Sequence, residues 1–347
     1  MTPKGGVFSG LVYHEEQPVL KAEYRTRGPV PQDVIEAVDM TLDEPGPGEV
    51  RLAVLAAPIN PSDVLTLTGE YGLLPDLPAI GGNEGVGRVA ILGEGVSHLT
   101  VGDVVMLPPG SGTWRTHMNV DAAGLIPLPR DADPVQLSML TVNPPTASLL
   151  LSEFVELQPG DWVIQNAANS AVGGYLIQLA AARGLKTVNV VRRESAIDGV
   201  LELGGDVCLV DGPGLRGRVA EATGDVRIRL GIDAVAGGAT GRLASTLAKG
   251  ATVVNYGGMS GEACSIPALS IIFNDITLTG FWLARWFRTA SPEAQASMFG
   301  EITRLISTGQ LTARVAATYD VTEIKPAVEH AAAGGREGKI VVVPRHS

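Results

Sequence analysis

A chain of 347 residues, 45% of them hydrophobic and 43 of them glycine, is long enough for roughly two domains that each bury a core, and this composition is typical of an α/β enzyme. Its net charge of -11 is not offset by any block of lysine and arginine, which argues against nucleic acid as a partner. The apolar runs are shorter than the ~20 residues that span a membrane, and residues 1–10 resemble neither a signal peptide nor a transit peptide, so we expect a cytoplasmic protein.

The first part of the chain consists of short apolar segments separated by turn residues. These strand-like segments cover residues 7–13, 34–40, 49–57, 85–92, 104–107 and 113–120. Their close and regular spacing predicts a β-rich domain over residues 1–140.

Residues 161–193 have the pattern of a strand, a turn, a helix and a second strand. An apolar run at 162–165 ends in turn-forming residues, helical periodicity follows at 172–182, and residues 187–191 are β-branched and apolar. Strands of this composition are buried on both faces, so the segment predicts a right-handed βαβ crossover.

Four further apolar runs follow this unit along the chain. They lie at 207–210, 232–235, 251–255 and 276–282, and they alternate with helical segments near 196–203, 215–222 and 240–248. The alternation predicts six strands of a doubly wound parallel sheet, which makes residues 141–291 a Rossmann cofactor-binding domain in an α/β fold.

The turn that opens the first helix of this domain is the predicted dinucleotide site. The N–H groups and the dipole of a helix N-terminus favour a pyrophosphate, and Gly173 and Gly174 let the backbone approach it closely. The usual G-x-G-x-x-G spacing is missing, because the turn reads N-S-A-V-G-G from Asn169 onward.

Two arginines follow the second strand, where an acidic residue would hold the ribose hydroxyls of NAD. The guanidinium groups of Arg192 and Arg193 suit a 2′-phosphate instead, so we expect NADPH rather than NADH. The alternative is a pair of solvated arginines at a strand end.

Several segments resemble the medium-chain dehydrogenase/reductase superfamily. GEYGLLP at 69–75 and GGNEGV at 81–86 are similar to its mitochondrial-type 2-enoyl thioester reductases, and motifs at 112–116, 142–144, 163–167, 256–259 and 280–283 follow in the family's order. The resemblance implies NADPH-dependent reduction of trans-2-enoyl-CoA or enoyl-ACP. It also implies a GroES-like catalytic β domain to which residues 292–347 return.

The metal ligands of related zinc enzymes are absent from this sequence. Zinc alcohol dehydrogenases of the same superfamily carry cysteine and histidine where this chain has Asn60 and Asn83, and they add a four-cysteine structural lobe. An amide is a poor zinc ligand beside thiolate or imidazole. We therefore expect the chemistry to proceed without a metal.

Tyr71 resembles the family's proton donor. Hydride transfer to the β-carbon of an unsaturated acyl thioester requires that a proton be delivered to the α-carbon. A phenol keeps its proton at neutral pH, yet it can release that proton to a strongly basic carbon. The alternative is a tyrosine that is exposed or packed in its loop without a chemical role.

The resemblance also implies a set of cofactor contacts, each with a simpler alternative. Asn143 would contact the nicotinamide side or cap the helix near Pro144, and the turn from Tyr256 would contact the nicotinamide ribose or serve only as a glycine turn. Phe281 and its neighbours would wall the pocket or pack at a dimer interface, and Lys339 would bind cofactor or be solvated. The complete set is Asn143, Asn169, Ser170, Ala171, Val172, Arg192, Arg193, Tyr256, Gly257, Gly258, Met259, Phe281, Trp282, Leu283 and Lys339.

Two positions depart from the family's pattern. Ala171 replaces a glycine in the pyrophosphate turn, and Glu194 stands where a second family arginine would help to bind the 2′-phosphate.

The implied substrate is an acyl thioester, carried by CoA or by acyl carrier protein, and the implied assembly is a homodimer paired through the strand near 277–282. Two alternatives stay open. A quinone or alkenal reductase of the same zinc-free superfamily would share the fold and the cofactor. A cofactor-binding protein without turnover is the alternative from another class.

Overall fold

The computed structural model describes residues 19–346, and the predicted strand at 7–13 lies outside the described residues. The chain forms two compact units. The first unit contains the residues up to Thr141 and those from Arg314 onward, and the second contains Val142–Ala313.

The first unit is built mainly from strands, joined by turns in which glycine and proline are frequent. Its elements before the second unit are β1 (Val19–Tyr24), β2 (Ile35–Met40), β3 (Glu49–Ile59), α1 (Pro61–Thr68), β4 (Ala79–Ile80), β5 (Val86–Leu92), β6 (Val104–Met106), β7 (His117–Asp121), β8 (Pro127–Leu128) and α2 (Pro134–Leu137).

The second unit alternates helices with strands, as the apolar periodicity predicts. Its elements are α3 (Asn143–Leu150), β9 (Trp162–Gln165), α4 (Ala171–Ala182), β10 (Lys186–Val191), α5 (Ile197–Glu202), β11 (Val207–Val210), α6 (Leu215–Thr223), β12 (Ile228–Asp233), α7 (Gly237–Ser245), β13 (Thr252–Asn255), α8 (Ala268–Asn274), β14 (Thr277–Gly280), α9 (Leu283–Thr289) and α10 (Pro292–Ser307).

The chain then returns to the first unit through β15 (Val315–Tyr319), α11 (Ile324–Ala332) and β16 (Lys339–Val342). Within residues 19–346, this unit has a three-stranded sheet in the order β2-β1-β4 and a seven-stranded sheet in the order β15-β16-β3-β5-β6-β8, with β7 also paired to β3. Its core contains the fully buried Trp114 and apolar side chains of β3, such as Leu52 and Val54.

The strand order of the second unit is that of a doubly wound fold. Over residues 142–313, all of which the structure describes, six parallel strands follow the order β11-β10-β9-β12-β13-β14. The order reverses between β9 and β12, and open α/β sheets bind ligands outside the carboxyl ends of their strands at such a point. The predicted fold class, a Rossmann domain plus a β-rich GroES-like domain, is confirmed.

The return to the first unit lies later than the sequence predicted. Residues 292–313 stay with the second unit, whereas the pattern placed the boundary at 291/292. The reason is that α10 contacts α3 and buries Met298, Ile302 and Leu305, while Glu301 pairs with Arg183 of the same unit. The first boundary differs from the predicted one by a single residue, at Thr141 instead of residue 140.

Among residues 19–346, no helix is long and apolar enough to cross a membrane.

Candidate active site

Helix α1 begins with a reciprocal set of hydrogen bonds that fixes its first turn. Asn60 is the N-cap, Pro61 occupies the first helical position, and Asp63 completes a capping box. The Asp63 carboxylate accepts the backbone N–H of Asn60 at 2.6 Å. The start of this helix is therefore held by side chains that lie inside the protein, since Asn60 and Asp63 are both buried.

The other end of α1 places the predicted proton donor. The helix ends at Gly69, whose φ of +86° is readily adopted by glycine. The N–H groups of Glu70 and Tyr71 both donate to the Leu65 carbonyl, at 2.9 Å and 3.1 Å. Tyr71 thus starts from a fixed position on the last helical turn, and its side chain is half-buried.

A buried polar cluster lies against the start of α1. It consists of the buried Asn60, Asp63, Glu84 and Lys339, together with the half-buried Asn83. Asn60 Nδ2 donates to Glu84 Oε1 at 2.7 Å, and Lys339 Nζ donates to Asn60 Oδ1 at 2.5 Å. Asn83 Nδ2 donates to Asp63 Oδ1 at 2.6 Å. Both amides at the positions where related zinc enzymes carry metal ligands are therefore bound to carboxylates of the protein itself.

The cluster holds two acids and one ammonium away from water. Burial raises the pKa of Asp63 to about 6 and the pKa of Glu84 to about 7. Burial also lowers the pKa of Lys339 to about 8, against the attraction of Glu84 and Asp63. Lys339 Nζ donates a second hydrogen bond to the Ile59 carbonyl at 3.1 Å. The ammonium is thus the cation that compensates the two buried acids.

In the second unit, the turn between β9 and α4 brings a helix N-terminus close to a strand end. Ser170 caps the helix and accepts the Gly173 N–H at 3.1 Å. A β-carbon on Gly173 would lie 2.5 Å from the Ala168 carbonyl oxygen, so this close approach requires glycine. Ala171 is the first helical residue. A helix N-terminus of this kind fits a pyrophosphate, and the predicted contact of this turn with the cofactor stays a prediction.

Asp233, at the end of β12, collects hydrogen bonds from three neighbouring elements. Its Oδ1 accepts Asn166 Nδ2 at 2.6 Å and the Val235 N–H at 2.9 Å. Its Oδ2 accepts Thr240 Oγ1 at 2.6 Å and Asn255 Nδ2 at 3.1 Å. Burial alone would raise the pKa of this carboxyl, but the donors outweigh burial and hold the pKa below its ordinary value. A single buried carboxylate therefore ties together the carboxyl ends of β9, β12 and β13.

The same edge of the sheet contains strained backbone. Ala167 follows β9 with a φ of +48°, and Ala236 follows β12 with a φ of +65°. Such a conformation costs about 1–3 kcal/mol at a residue with a side chain and persists where the surroundings enforce it. Both alanines lie where the strand order reverses, so the strain coincides with the ligand edge of the fold.

The turn after β13 completes this edge. The Tyr256 N–H donates to the Asp233 carbonyl at 2.9 Å, and a β-carbon on Gly257 would come within 2.9 Å of the Ala234 carbonyl. The Tyr256 hydroxyl is buried beside the Ser170 side chain, and burial raises its pKa. The turn therefore closes on the N-terminus of α4 and forms a cradle that fits a dinucleotide.

The two arginines of the predicted 2′-phosphate site are exposed at the end of β10. Arg192 and Arg193 follow Val191, and Glu194 opens a short 3-10 turn directly after them. All three side chains face solvent. The arrangement places one negative and two positive groups at the strand end, which fits an anion better than a diol.

Comparison with known proteins gives a consistent result across both units. Residues 46–130 match the alcohol dehydrogenase GroES-like domain, and residues 171–299 match the zinc-binding dehydrogenase family. The chain is 40% identical over 305 residues to the mitochondrial enoyl-[acyl-carrier-protein] reductase of Rattus norvegicus, and the match covers 86% of this chain and 82% of the relative. This chain belongs to the enoyl-[acyl-carrier-protein] reductase family.

Two solved structures related to this reductase chain have the same fold. The complex of Etr1p with NADP and crotonyl-CoA has a TM-score of 0.83 at 26% identity, covering 94% of this chain and 100% of that one. A Bacillus thuringiensis protein assigned as an NADPH:quinone reductase has a TM-score of 0.86 at 27% identity, covering 95% of this chain and all of the other. The predicted family resemblance is confirmed by the reductase relatives.

Within the reductase family, this chain has a donor set that does not fit zinc. Asn60 and Asn83 present amides, and each amide is bound to a carboxylate of the polar cluster. In the part of the chain that the structure describes, no group of three or more histidine, cysteine, aspartate or glutamate side chains could hold a metal ion. The metal-free site stays a prediction, which these ligand types support.

The structure distributes the predicted site residues of the reductase between the two units. Tyr71 and Lys339 belong to the first unit, and the remaining cofactor residues belong to the second. Within the second unit, hydrogen bonds connect the turn from Tyr256 with Asp233, and through Asp233 with the end of β9. Phe281 packs edge-to-face on Phe154 at 5.9 Å, and Trp282 lies under Arg288 at 4.8 Å.

Two of the simpler alternatives are wrong. Lys339 is not a solvated lysine, since it is 4% exposed and donates inside the polar cluster. Asn143 is not the N-cap, because α3 starts at Asn143 itself and its N-cap is Val142. Asn143 is buried, and its contact with the nicotinamide stays a prediction.

Sequence reasoning missed the residues that organise these sites. Asp63, Glu84, Asn166 and Asp233 are all buried and hydrogen-bonded. One signal was available for Asp63, because asparagine followed by an acidic residue at the third helical position is a capping-box pattern. For Asp233, the signal was an acidic residue directly after a buried strand, at the edge where ligands bind.

Proposed function

We propose that this protein reduces the 2,3 double bond of enoyl thioesters with NADPH. The observation that carries the proposal is Tyr71, which stands on an anchored helix end within a chain 40% identical to a named enoyl-[acyl-carrier-protein] reductase. The reductase-type motif around this tyrosine is intact. A catalyst for this reaction needs an acid for the α-carbon and a cofactor site, and the two units supply one of each.

Each group in the reaction has a proposed role. NADPH, when bound, supplies the hydride for the β-carbon. The N-terminus of α4 with Ser170 and Gly173 would hold the pyrophosphate, and the turn from Tyr256 would hold the nicotinamide ribose. Tyr71 delivers its phenolic proton to the α-carbon. Asp233 keeps the cofactor edge in its strained form, so that this edge does not have to reorganise when the cofactor binds.

A panel of substrates tests whether the protein prefers thioesters to other hydride acceptors. Initial rates of NADPH oxidation should be highest with crotonyl-CoA, a longer enoyl-CoA or an enoyl-ACP. A quinone or alkenal that exceeds every thioester in kcat/KM would favour the second candidate, for which the fold similarity to the Bacillus thuringiensis protein is the supporting observation. Absence of NADPH oxidation with all of them would favour a binding protein without turnover.

Cofactor selectivity provides a prediction at the end of β10. NADPH should bind more tightly than NADH, and Arg192→Ala should narrow the gap, because a charge-assisted contact worth about 1.5–3 kcal/mol corresponds to roughly 10- to 100-fold in Kd. Fluorescence titration with both cofactors measures this difference. Arg227→Ala is the matched control, since Arg227 is an exposed arginine just before the amino end of β12, whereas Arg192 follows the carboxyl end of β10. Equal affinities of the parent protein for NADPH and NADH would contradict the prediction.

The second unit also has an exposed apolar edge that fits a second copy of the chain. Strand β14 is the last strand of the sheet, and α8 has no buried residue. The exposed apolar side chains of this edge are Leu269, Ile271, Ile272, Phe273, Leu278 and Trp282. Exposed apolar side chains next to an unpaired strand edge are typical of a homodimer interface.

A charge on this edge should separate the subunits. Phe273 is 66% exposed. In a homodimer, Phe273→Asp would place one carboxylate from each subunit in the apolar interface, so the variant should be monomeric. Light scattering coupled to size-exclusion chromatography gives the mass. Leu201→Asp is the control, because Leu201 is an exposed leucine on α5 of the same unit. A monomeric parent protein would refute the interface.

The compartment stays a prediction. A cytoplasmic protein was expected, whereas the relatives are named mitochondrial enzymes.

A further inference from the structure

The segment from Gly69 to Pro75 carries Tyr71 and is here called the Tyr71 loop. Both of its ends are held by hydrogen bonds to other residues of the first unit. Its start is fixed by α1, through the bonds from Glu70 and Tyr71 to the Leu65 carbonyl. Its end is fixed by Arg27, whose guanidinium donates to the Pro75 carbonyl. We propose that Arg27 is a positioning residue for Tyr71, an inference that rests on the proposed function.

The stem of Arg27 lies against the first residue of the loop. A β-carbon built on Gly69 would be 3.4 Å from Arg27 Cδ and 3.6 Å from its Cβ, so the stem covers the glycine at van der Waals distance. The next residue, Gly28, donates its N–H to the Leu67 carbonyl of α1 at 3.2 Å. Residues 27 and 28 therefore contact the end of the helix and the end of the loop at the same time.

The guanidinium of Arg27 is also in contact with a core residue of the first unit, Tyr24. It lies beside the hydroxyl of Tyr24, a residue of β1 that is buried in the core of the first unit. Tyr24 also lies within the electrostatic reach of Asp63, which fixes the start of α1. The Pro75 carbonyl is thus connected through Arg27 to the rigid part of the unit.

The middle of the loop depends on these two ends. Gly72, Leu73 and Leu74 are exposed, and Leu73 is 65% exposed, so the described contacts give this stretch little packing of its own. A tether at Pro75 limits the conformations that the segment between the ends can adopt, which lowers the entropic cost of presenting the phenol. Loss of the tether should misplace the proton donor without removing it.

The test is a double-mutant cycle of Arg27→Met with Tyr71→Phe. Methionine keeps an unbranched stem against Gly69 but has no donor for the Pro75 carbonyl. Arg27→Met should lower kcat for crotonyl-CoA by ~10-fold, a loss within the range for a displaced catalytic group, while the Kd for NADPH stays within ~2-fold. In the Tyr71→Phe background the same substitution should cost less than ~2-fold, since there is no proton donor left to position. Arg27→Lys, which restores a donor, should recover most of kcat.

Each result of the cycle decides a separate point. If Tyr71→Phe is impaired and Arg27→Met costs the same factor in both backgrounds, Arg27 acts independently of Tyr71 and the inference is wrong, while the proposed function stands. If Tyr71→Phe retains full turnover, the proposed proton donor and the role of Arg27 fail together. Thermal unfolding and the NADPH titration on all five proteins, Arg27→Lys included, separate a misplaced Tyr71 from a misfolded chain, because a misfolded variant shows a lowered Tm. If kcat falls in both Arg27→Met and Arg27→Lys only together with a lowered Tm, the positioning role is overturned.

Discussion

Tyr71→Phe should lower kcat for crotonyl-CoA or a longer enoyl-CoA by at least ~10-fold, because general acids contribute on the order of 100- to 10,000-fold and water can replace part of that contribution. The substitution removes only the phenolic oxygen. The helix end that carries the residue depends on backbone bonds to the Leu65 carbonyl, so the loop should keep its position. Steady-state rates at saturating NADPH measure the effect, and the Kd for NADPH should be unchanged.

A matched control for this substitution exists in the same unit. Tyr319, on β15, bonds His330 Nδ1 at 2.9 Å through its hydroxyl, and no role in the reaction is assigned to it. Tyr319→Phe should keep the parent's kcat within ~2-fold, since a single half-exposed hydrogen bond contributes to stability rather than to turnover. If Tyr71→Phe is as active as Tyr319→Phe, Tyr71 does not donate the proton.

The elements of the second unit were predictable because their signals are local. Strand β9 occupies Trp162–Gln165, and β11 occupies Val207–Val210, in agreement with the apolar runs at 162–165 and 207–210. Buried parallel strands are continuous apolar runs, and each run here is bounded by turn residues. The crossover rules then restrict the order of these strands to very few arrangements.

The polar cluster of the first unit could not be predicted in the same way. Lys339 and Asn60 are 279 positions apart in the chain, and their contact depends on the antiparallel pairing of β16 with β3. Sequence periodicity indicates that a residue belongs to a strand, but it does not indicate which distant strand will lie beside it. The pattern thus left Lys339 either on the cofactor or in water, and the structure places its ammonium inside the protein.

The predicted position of the boundary after the Rossmann sheet differs from the observed one for a related reason. The sequence pattern ends the domain at residue 291, shortly after the sixth strand, which ends at Gly280. Helix α10 lies beyond that point, and its amphipathic pattern predicts a buried face without naming the surface that covers it. The contact of α10 with α3 keeps α10 in the second unit, and α3 lies about 150 positions earlier in the chain, at Asn143–Leu150.

Lys339→Met should lower the free energy of unfolding by about 3–5 kcal/mol, the cost typical of removing one partner from a buried ion pair. The substitution leaves Glu84 and Asp63 buried without the ammonium that compensates them. Denaturant unfolding monitored by circular dichroism measures the loss. Lys325→Met, on α11 of the same unit, is the control for removing an exposed lysine and should change stability little.

The loss should also depend on pH, with a sign that follows from the two acids. The positive charge of Lys339 lowers the pKa of Asp63 and of Glu84, so its removal raises both above their present values of about 6 and about 7. In the unfolded chain these acids ionise near pH 4, so both folded proteins hold extra protons and lose stability as pH rises above that value. The parent's acids ionise near pH 6 and pH 7, whereas those of the variant stay protonated to higher pH, so only the variant keeps losing stability there. The destabilisation should therefore be larger at the upper pH.

Glu84→Gln combined with Lys339→Met should recover at least half of the loss there, because no uncompensated charge remains at that position. An additive loss in the double variant, or a loss that is independent of pH, would show that the ammonium and the Glu84 carboxylate do not act as a pair.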